Sequence, residues 1–200
     1  MRVPNPQHLD AFFLGCFCTC TVLAAMLIFF PSTVRGFEYQ VRFWILDVTK
    51  ERIAEYALPD RVISIFRERG REHITMKNVE RLEGIVRKAV ADFPEFFSRQ
   101  HTTKPLRDFG IRKGSITFVG ESTYETRDAY FRRGSSGMTQ GLKMYIACEE
   151  KVACDILDRR GVIRHEIYHY LCTVYGIGRF ENEEAEAVWF SWIAYDRSVE

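Results

Sequence analysis

The apolar positions of this chain fall into blocks of different period. Ala11 to Phe30 carries no charge across twenty positions. As a helix this run would span about 30 Å, the thickness of a bilayer's hydrocarbon core. Pro31, Ser32 and Thr33 close it. It reads as a retained single-pass anchor. A cleavable signal peptide is the rival reading, but its apolar core is normally shorter and small residues mark its cleavage site. Phe37 to Leu46 follows, apolar and aromatic, as a strand or a juxtamembrane helix with Tyr39, Phe43 and Trp44 at the interface.

Beyond residue 60, short runs rich in β-formers alternate with helical spacing. Arg61–Phe66, Ser115–Val119 and Lys143–Cys148 predict strands of a small mixed sheet. Val79, Leu82, Val86, Ala89, Val90 and Phe93 recur at helical spacing and predict a scaffold helix against that sheet. Thr75 is placed to cap it and Pro94 to end it. The alternating charges of Arg67–Glu72 predict a solvated hairpin tip. Glu121 to Gly141 is polar, contains Gly134, Ser135, Ser136 and Gly137, and predicts a long loop lining a cleft. Val162 to Leu171 has no proline and predicts a buried helix, with Gly176 and Gly178 as stop signals. A second helix starts near Glu181 and runs through Ala185, Val188, Trp192 and Tyr195. The short connection makes the two helices antiparallel neighbours. The pattern gives an α+β chain: a tail (1–10), a transmembrane helix (11–30), a juxtamembrane segment (31–60) and one domain (61–200) long enough to build a core.

The candidate chemistry lies on the buried helix, in His165-Glu166-Ile167-Tyr168-His169. Two histidines four positions apart share a helix face, so their imidazoles can converge on one cation. Zinc accepts imidazole nitrogen at roughly 2.0–2.1 Å and suits this pairing. Glu166 is rotated about 100° from His165 and is better placed to reach a water than to join the ligands. A catalytic zinc needs a third protein ligand. Glu181, Glu183, Glu184, Glu186 and Asp196 are the acidic residues that follow. The first helix continues about 9 Å past His169. The second must climb back a similar distance, which favours Glu183, Glu184 or Glu186 over Glu181 and leaves Asp196 too far along.

The His-Glu-x-x-His stretch resembles that of the zincin metallopeptidases, and Glu184-Ala185-Glu186-Ala187-Val188 is similar to the Glu-x-x-Ala segment of gluzincin-type members. The resemblance covers roughly Ser115 to Tyr195. It implies a zincin-like domain holding Zn2+ through His165, His169 and Glu184, with Glu166 as general base in peptide-bond hydrolysis. It further implies a peptide or protein substrate held extended along the edge strand, near Tyr145. Fifteen positions separate His169 from Glu184, a shorter gap than is usual in gluzincins. Tyr124, Tyr130 and Tyr175 are candidate assistants. A catalytically idle binding module and a zinc hydrolase of a non-peptide substrate are the other functions such a domain can serve.

Composition narrows the partners. The net charge is +1, which gives no electrostatic pull toward nucleic acid. The membrane is the partner that residues 11–30 imply. Arg35, Arg42 and Lys50 against Arg2 and the amino terminus lean by one charge toward a cytoplasmic domain, which leaves its side of the membrane open. Cys16, Cys18 and Cys20 lie within the apolar run, and an exported domain would allow Cys148 to pair with Cys154. His8, His73 and His101 lack partners in spacing and read as surface residues.

Overall fold

Strand-forming residues between Glu51 and Cys148 assemble into one mixed sheet, and the helices that follow it carry the candidate chemistry. The computed structural model describes residues 45–69, 76–102, 105–107, 109–120, 136–149, 153–177 and 180–196. The chain divides into two compact units, Met1–Val48 and Thr49–Glu200. Of the first, residues 45–48 are described and are helical. Among the described residues no helix is long and apolar enough to cross a membrane. The anchor expected at residues 11–30 lies outside them, as do Thr75, His73, Tyr124 and Tyr130.

The second unit begins before residue 61. Glu51–Ala57, counted from the sequence as juxtamembrane, forms strand β1 and pairs antiparallel with β2, Val62–Arg67. Leu58 N–H donates to the Arg61 carbonyl at 2.8 Å and closes the hairpin between them. β2 pairs parallel with β4, Lys113–Gly120, and β4 pairs parallel with β6, Lys143–Cys148. β5, Gly137–Gln140, pairs antiparallel with β6 and completes the order β1-β2-β4-β6-β5. A two-stranded parallel pair, β3 (Met76–Lys77) with β7 (Cys154–Asp155), stands apart from it.

This topology corrects two expectations. Lys143–Cys148 is not the edge strand; β4 and β6 are interior, which is why Ile116–Val119 and Met144–Cys148 are buried residue after residue instead of alternating. The edge on that side is β5, drawn from a stretch read as loop. Nor do Arg67–Arg69 start a hairpin tip, since β2 has its antiparallel partner in β1 on the preceding side.

A 3-10 turn at Val79–Arg81 leads into helix α1, Leu82–Gln100. Of the predicted positions Leu82, Val86, Ala89 and Phe93 are buried and Val79 and Val90 half-buried, with Ile85 buried beside them, but the helix does not stop at Pro94. Pro94 points outward, while Phe96 and Phe97 continue the buried stripe. Burying two aromatic side chains offsets the lost backbone hydrogen bond. Helix α2, Arg160–Val174, carries the motif, and α3, Glu183–Asp196, follows it. Gly176 (φ 60°) ends α2 as the sequence predicts: Gly176 N–H donates to the Thr173 carbonyl at 3.1 Å and Ile177 N–H to the Cys172 carbonyl at 2.8 Å.

The three helices meet through Phe93 and Phe96 of α1, Tyr168 of α2 and Phe190 of α3, whose ring centroids lie 5.2–6.1 Å apart. Arg164, the charged residue inside the motif helix, is 1% exposed. It donates to Asp92 at 3.1 Å and to the Phe190 carbonyl at 3.4 Å, tying α1 and α3 to α2. Cys148 and Cys154 are disulfide-bonded, joining the end of β6 to β7. Cys172 is a buried free thiol.

Candidate metal centre

One helical turn separates His165 from His169, so α2 presents both rings on one face. Their Nε2 atoms are 3.2 Å apart and their centroids 4.9 Å. Gly176 turns the chain back, and the first turn of α3 comes to lie opposite the rings. Glu184 Oε2 is 3.4 Å from His165 Nε2, and Glu184 Oε1 is 3.7 Å from His169 Nε2. One donor atom from each of the three residues lies within 4.8 Å of the other two. A tetrahedral ion with arms of about 2.05 Å sets its donors about 3.3 Å apart. The two nitrogens and the carboxylate therefore fit such an ion, and the three residues can hold a metal. Glu184 is 62% exposed at its side chain, against 21% and 14% for His165 and His169. The rings are sheltered, and the carboxylate side faces water.

The four neighbouring glutamates occupy four different environments. Glu183 Oε1 is 2.6 Å from His169 Nδ1, on the far side of the ring from Glu184. A carboxylate there holds the proton on Nδ1 and leaves Nε2 as the ligating nitrogen. Glu186 accepts a hydrogen bond from the Tyr168 hydroxyl at 2.6 Å and lies 2.8 Å from His101 Nε2. It faces α1, away from the histidine pair. Glu181 is exposed and outside the three-residue cluster. Asp196 is the last residue of α3, well removed along the helix.

His101, read as a surface residue, is instead 15% exposed at its side chain, paired with Glu186 and stacked on Phe97. It sits at the end of α1, beyond the point where Pro94 was expected to stop the helix, so its partners were invisible in spacing. Tyr175 packs on Phe93 and meets Arg61, at 3.4 Å from the guanidinium. It is committed to that cluster and not to the metal centre.

Glu166 is 4% exposed. Its carboxylate lies against β5, where the Thr139 Oγ1 is 2.8 Å from Oε2 and 2.9 Å from the Glu166 carbonyl oxygen. Gly137 approaches from the same strand; a Cβ there would come within 2.8 Å of Glu166 Oε1 and 2.6 Å of Val162. Sequence reasoning missed both residues because they fell inside a polar, glycine-bearing stretch. Met138 and Thr139 beside the turn at Gly141 gave only a weak strand signal.

Burial, reinforced by the charge His169 would carry, pushes His165 down to about 4, against the opposing pull of Glu184. A neutral imidazole is the form that binds a metal. Burial and the Glu183 carboxylate push the Cys172 thiol up to about 12, which keeps it protonated and chemically quiet. Comparison of the chain with protein-family models, curated proteins and solved structures finds no match.

Proposed function

We propose that the domain is a zinc-dependent peptidase, carried on a membrane by residues 11–30, with His165, His169 and Glu184 as ligands and Glu166 as general base. The observation that carries this reading is the convergence of Glu184 on the histidine pair: the two Nε2 atoms are 3.2 Å apart, near the edge length of a tetrahedral zinc site, and one Glu184 oxygen lies 3.4 Å from His165 Nε2 while the other lies 3.7 Å from His169 Nε2. Two further features support it. Glu183 backs His169 in the manner of a carboxylate orienting a metal-bound imidazole. The sheet edge, β5, runs beside the motif helix, where an extended peptide can add as a further strand.

A zinc ion in this cage supplies a Lewis acid and lowers the pKa of water toward about 7. Glu166 takes the proton of the attacking water and delivers it to the departing amine, so the carboxylate is regenerated with each turnover. The Cys148–Cys154 disulfide favours a domain that works in an oxidising compartment.

Zinc content and turnover on a mixed peptide library test this reading on the purified full chain. The wild type is expected to hold about one zinc and to cleave peptides. Glu166→Gln keeps the zinc and loses on the order of 100-fold or more in kcat. Zinc without any peptide cleavage points to a non-peptide substrate. A chain that binds no zinc, or whose measurable properties are indifferent to Glu166→Gln, leaves only an idle binding module.

A further inference from the structure

We infer that β5 is a clamp for the general base: Thr139 fixes the Glu166 carboxylate through its hydroxyl, and Gly137 makes room for it by having no side chain. The inference rests on Glu166 acting as the base, and it adds two positioning residues to that function.

A glutamate side chain has three rotatable bonds and wanders unless it is held. General-base catalysis needs the carboxylate oxygen within about 2.6–3.2 Å of the proton it removes. Helix α2 fixes only the Glu166 backbone. The end of the side chain is fixed from outside the helix, by the hydroxyl 2.8 Å from Oε2. A hydroxyl donor to a carboxylate is a charge-assisted bond and stronger than a neutral one. The same oxygen lies 2.9 Å from the Glu166 carbonyl; the hydroxyl has one proton, and the charged carboxylate is the stronger of the two acceptors.

Gly137, two residues back, reaches the same face of the sheet. Its Cα approaches so closely that an added methyl group would meet Glu166 Oε1 at 2.8 Å, Glu166 Cγ at 2.9 Å and Val162 Cγ1 at 2.6 Å. Glu166 is buried, and Val162 is half-buried against the core. β5 is short and antiparallel to β6, with Thr139 opposite Met144 and Gly137 opposite Ile146. That pairing anchors the clamp to the interior of the sheet.

Thr139→Val removes the hydroxyl while keeping shape and strand preference. In the zinc-loaded full chain it is expected to lower kcat on the order of 10- to 100-fold, the cost of misplacing a reacting group by about 1 Å. KM and zinc content stay at wild-type values, and Thr139→Ser restores kcat to within a few-fold. Gly137→Ala lowers kcat in the same way. A Thr139→Val enzyme as fast as wild type, or a Thr139→Ser enzyme as slow as Thr139→Val, overturns the clamp. Crystal structures of the wild type and Thr139→Val supply a readout that needs no substrate. A Glu166 carboxylate that leaves its place in the variant supports the clamp, and one that stays put defeats it. Failure of the peptidase reading shows separately, as a wild-type chain that holds zinc and cleaves nothing.

Discussion

Glu183, Glu184 and Glu186 lie within one turn of one helix, and the histidines and tyrosine of α2 divide them into three roles. Glu184 can complete a donor set with the two histidines, Glu183 pairs with His169 from behind, and Glu186 ties Tyr168 to His101. Substitution to glutamine separates these roles. Glu183→Gln is expected to weaken zinc binding by about 10- to 100-fold, the usual cost of losing a ligand's carboxylate partner. Glu184→Gln weakens it further. Glu186→Gln leaves zinc affinity near wild type but lowers stability by about 1–3 kcal/mol, because buried hydrogen-bonding groups lose a charged partner. Competition with a chromophoric chelator and urea unfolding measure the two quantities. An equal loss of zinc across all three variants would contradict the assignment. The sequence could bring the choice no further than Glu183, Glu184 or Glu186. Each step along a helix turns a side chain by about 100°, so a one-residue uncertainty in the start of α3 decides which carboxylate meets the rings.

At the scale of elements, the motif helix was the most legible, because its end is encoded locally by Gly176 and its face by the two histidines. The scaffold helix was legible up to Phe93 and misread after it. A proline signal is local, whereas the burial of Phe96 and Phe97 against Tyr168 and Phe190 is tertiary. The energy stored in that conflict is measurable. Pro94 is exposed, so alanine there adds a backbone hydrogen bond without disturbing a contact. Pro94→Ala is expected to raise stability by about 2 kcal/mol, seen as a higher urea midpoint at unchanged slope. An unchanged or lowered midpoint would mean that the helix already relieves the proline at no cost. Composition found β2, β4 and β6 but not β1 or β5, and it did not give their order. β2 lies beside β4 although 45 residues separate the end of one from the start of the other, and no local pattern records such a pairing.

Across the whole molecule, stability and metal binding draw on the same imidazoles. In the metal-free protein His165 titrates near 4, below its ordinary 6.5. As pH falls through 6.5 the unfolded chain takes up a proton that the folded chain refuses. Folding stability therefore declines between pH 6.5 and pH 4, by at most about 3 kcal/mol, and this group adds no further loss below that. Urea unfolding in the presence of a chelator at pH 7 and pH 4.5 measures the decline, and His165→Gln is expected to flatten it. At pH 7, saturating zinc adds stability by mass action, about 2.7 kcal/mol at a hundredfold excess over its dissociation constant. The α+β class could be read from residue pattern, since strand and helix periods differ. The tie of Arg164 to Asp92 of α1 and the Phe190 carbonyl of α3 joins residues 72 and 26 positions away, and no local pattern records it.

The donors of the cage are split between α2 and α3, and chain order gives that division a temporal meaning. A ribosome that has delivered α2 has made both imidazoles and the base but no carboxylate to close the ring. Until Glu184 emerges and α3 swings back across Gly176, the nascent polypeptide carries an incomplete trap for metal. For the peptidase proposed above, the catalytic set is closed in translation only after the sheet and α1 have already been synthesised.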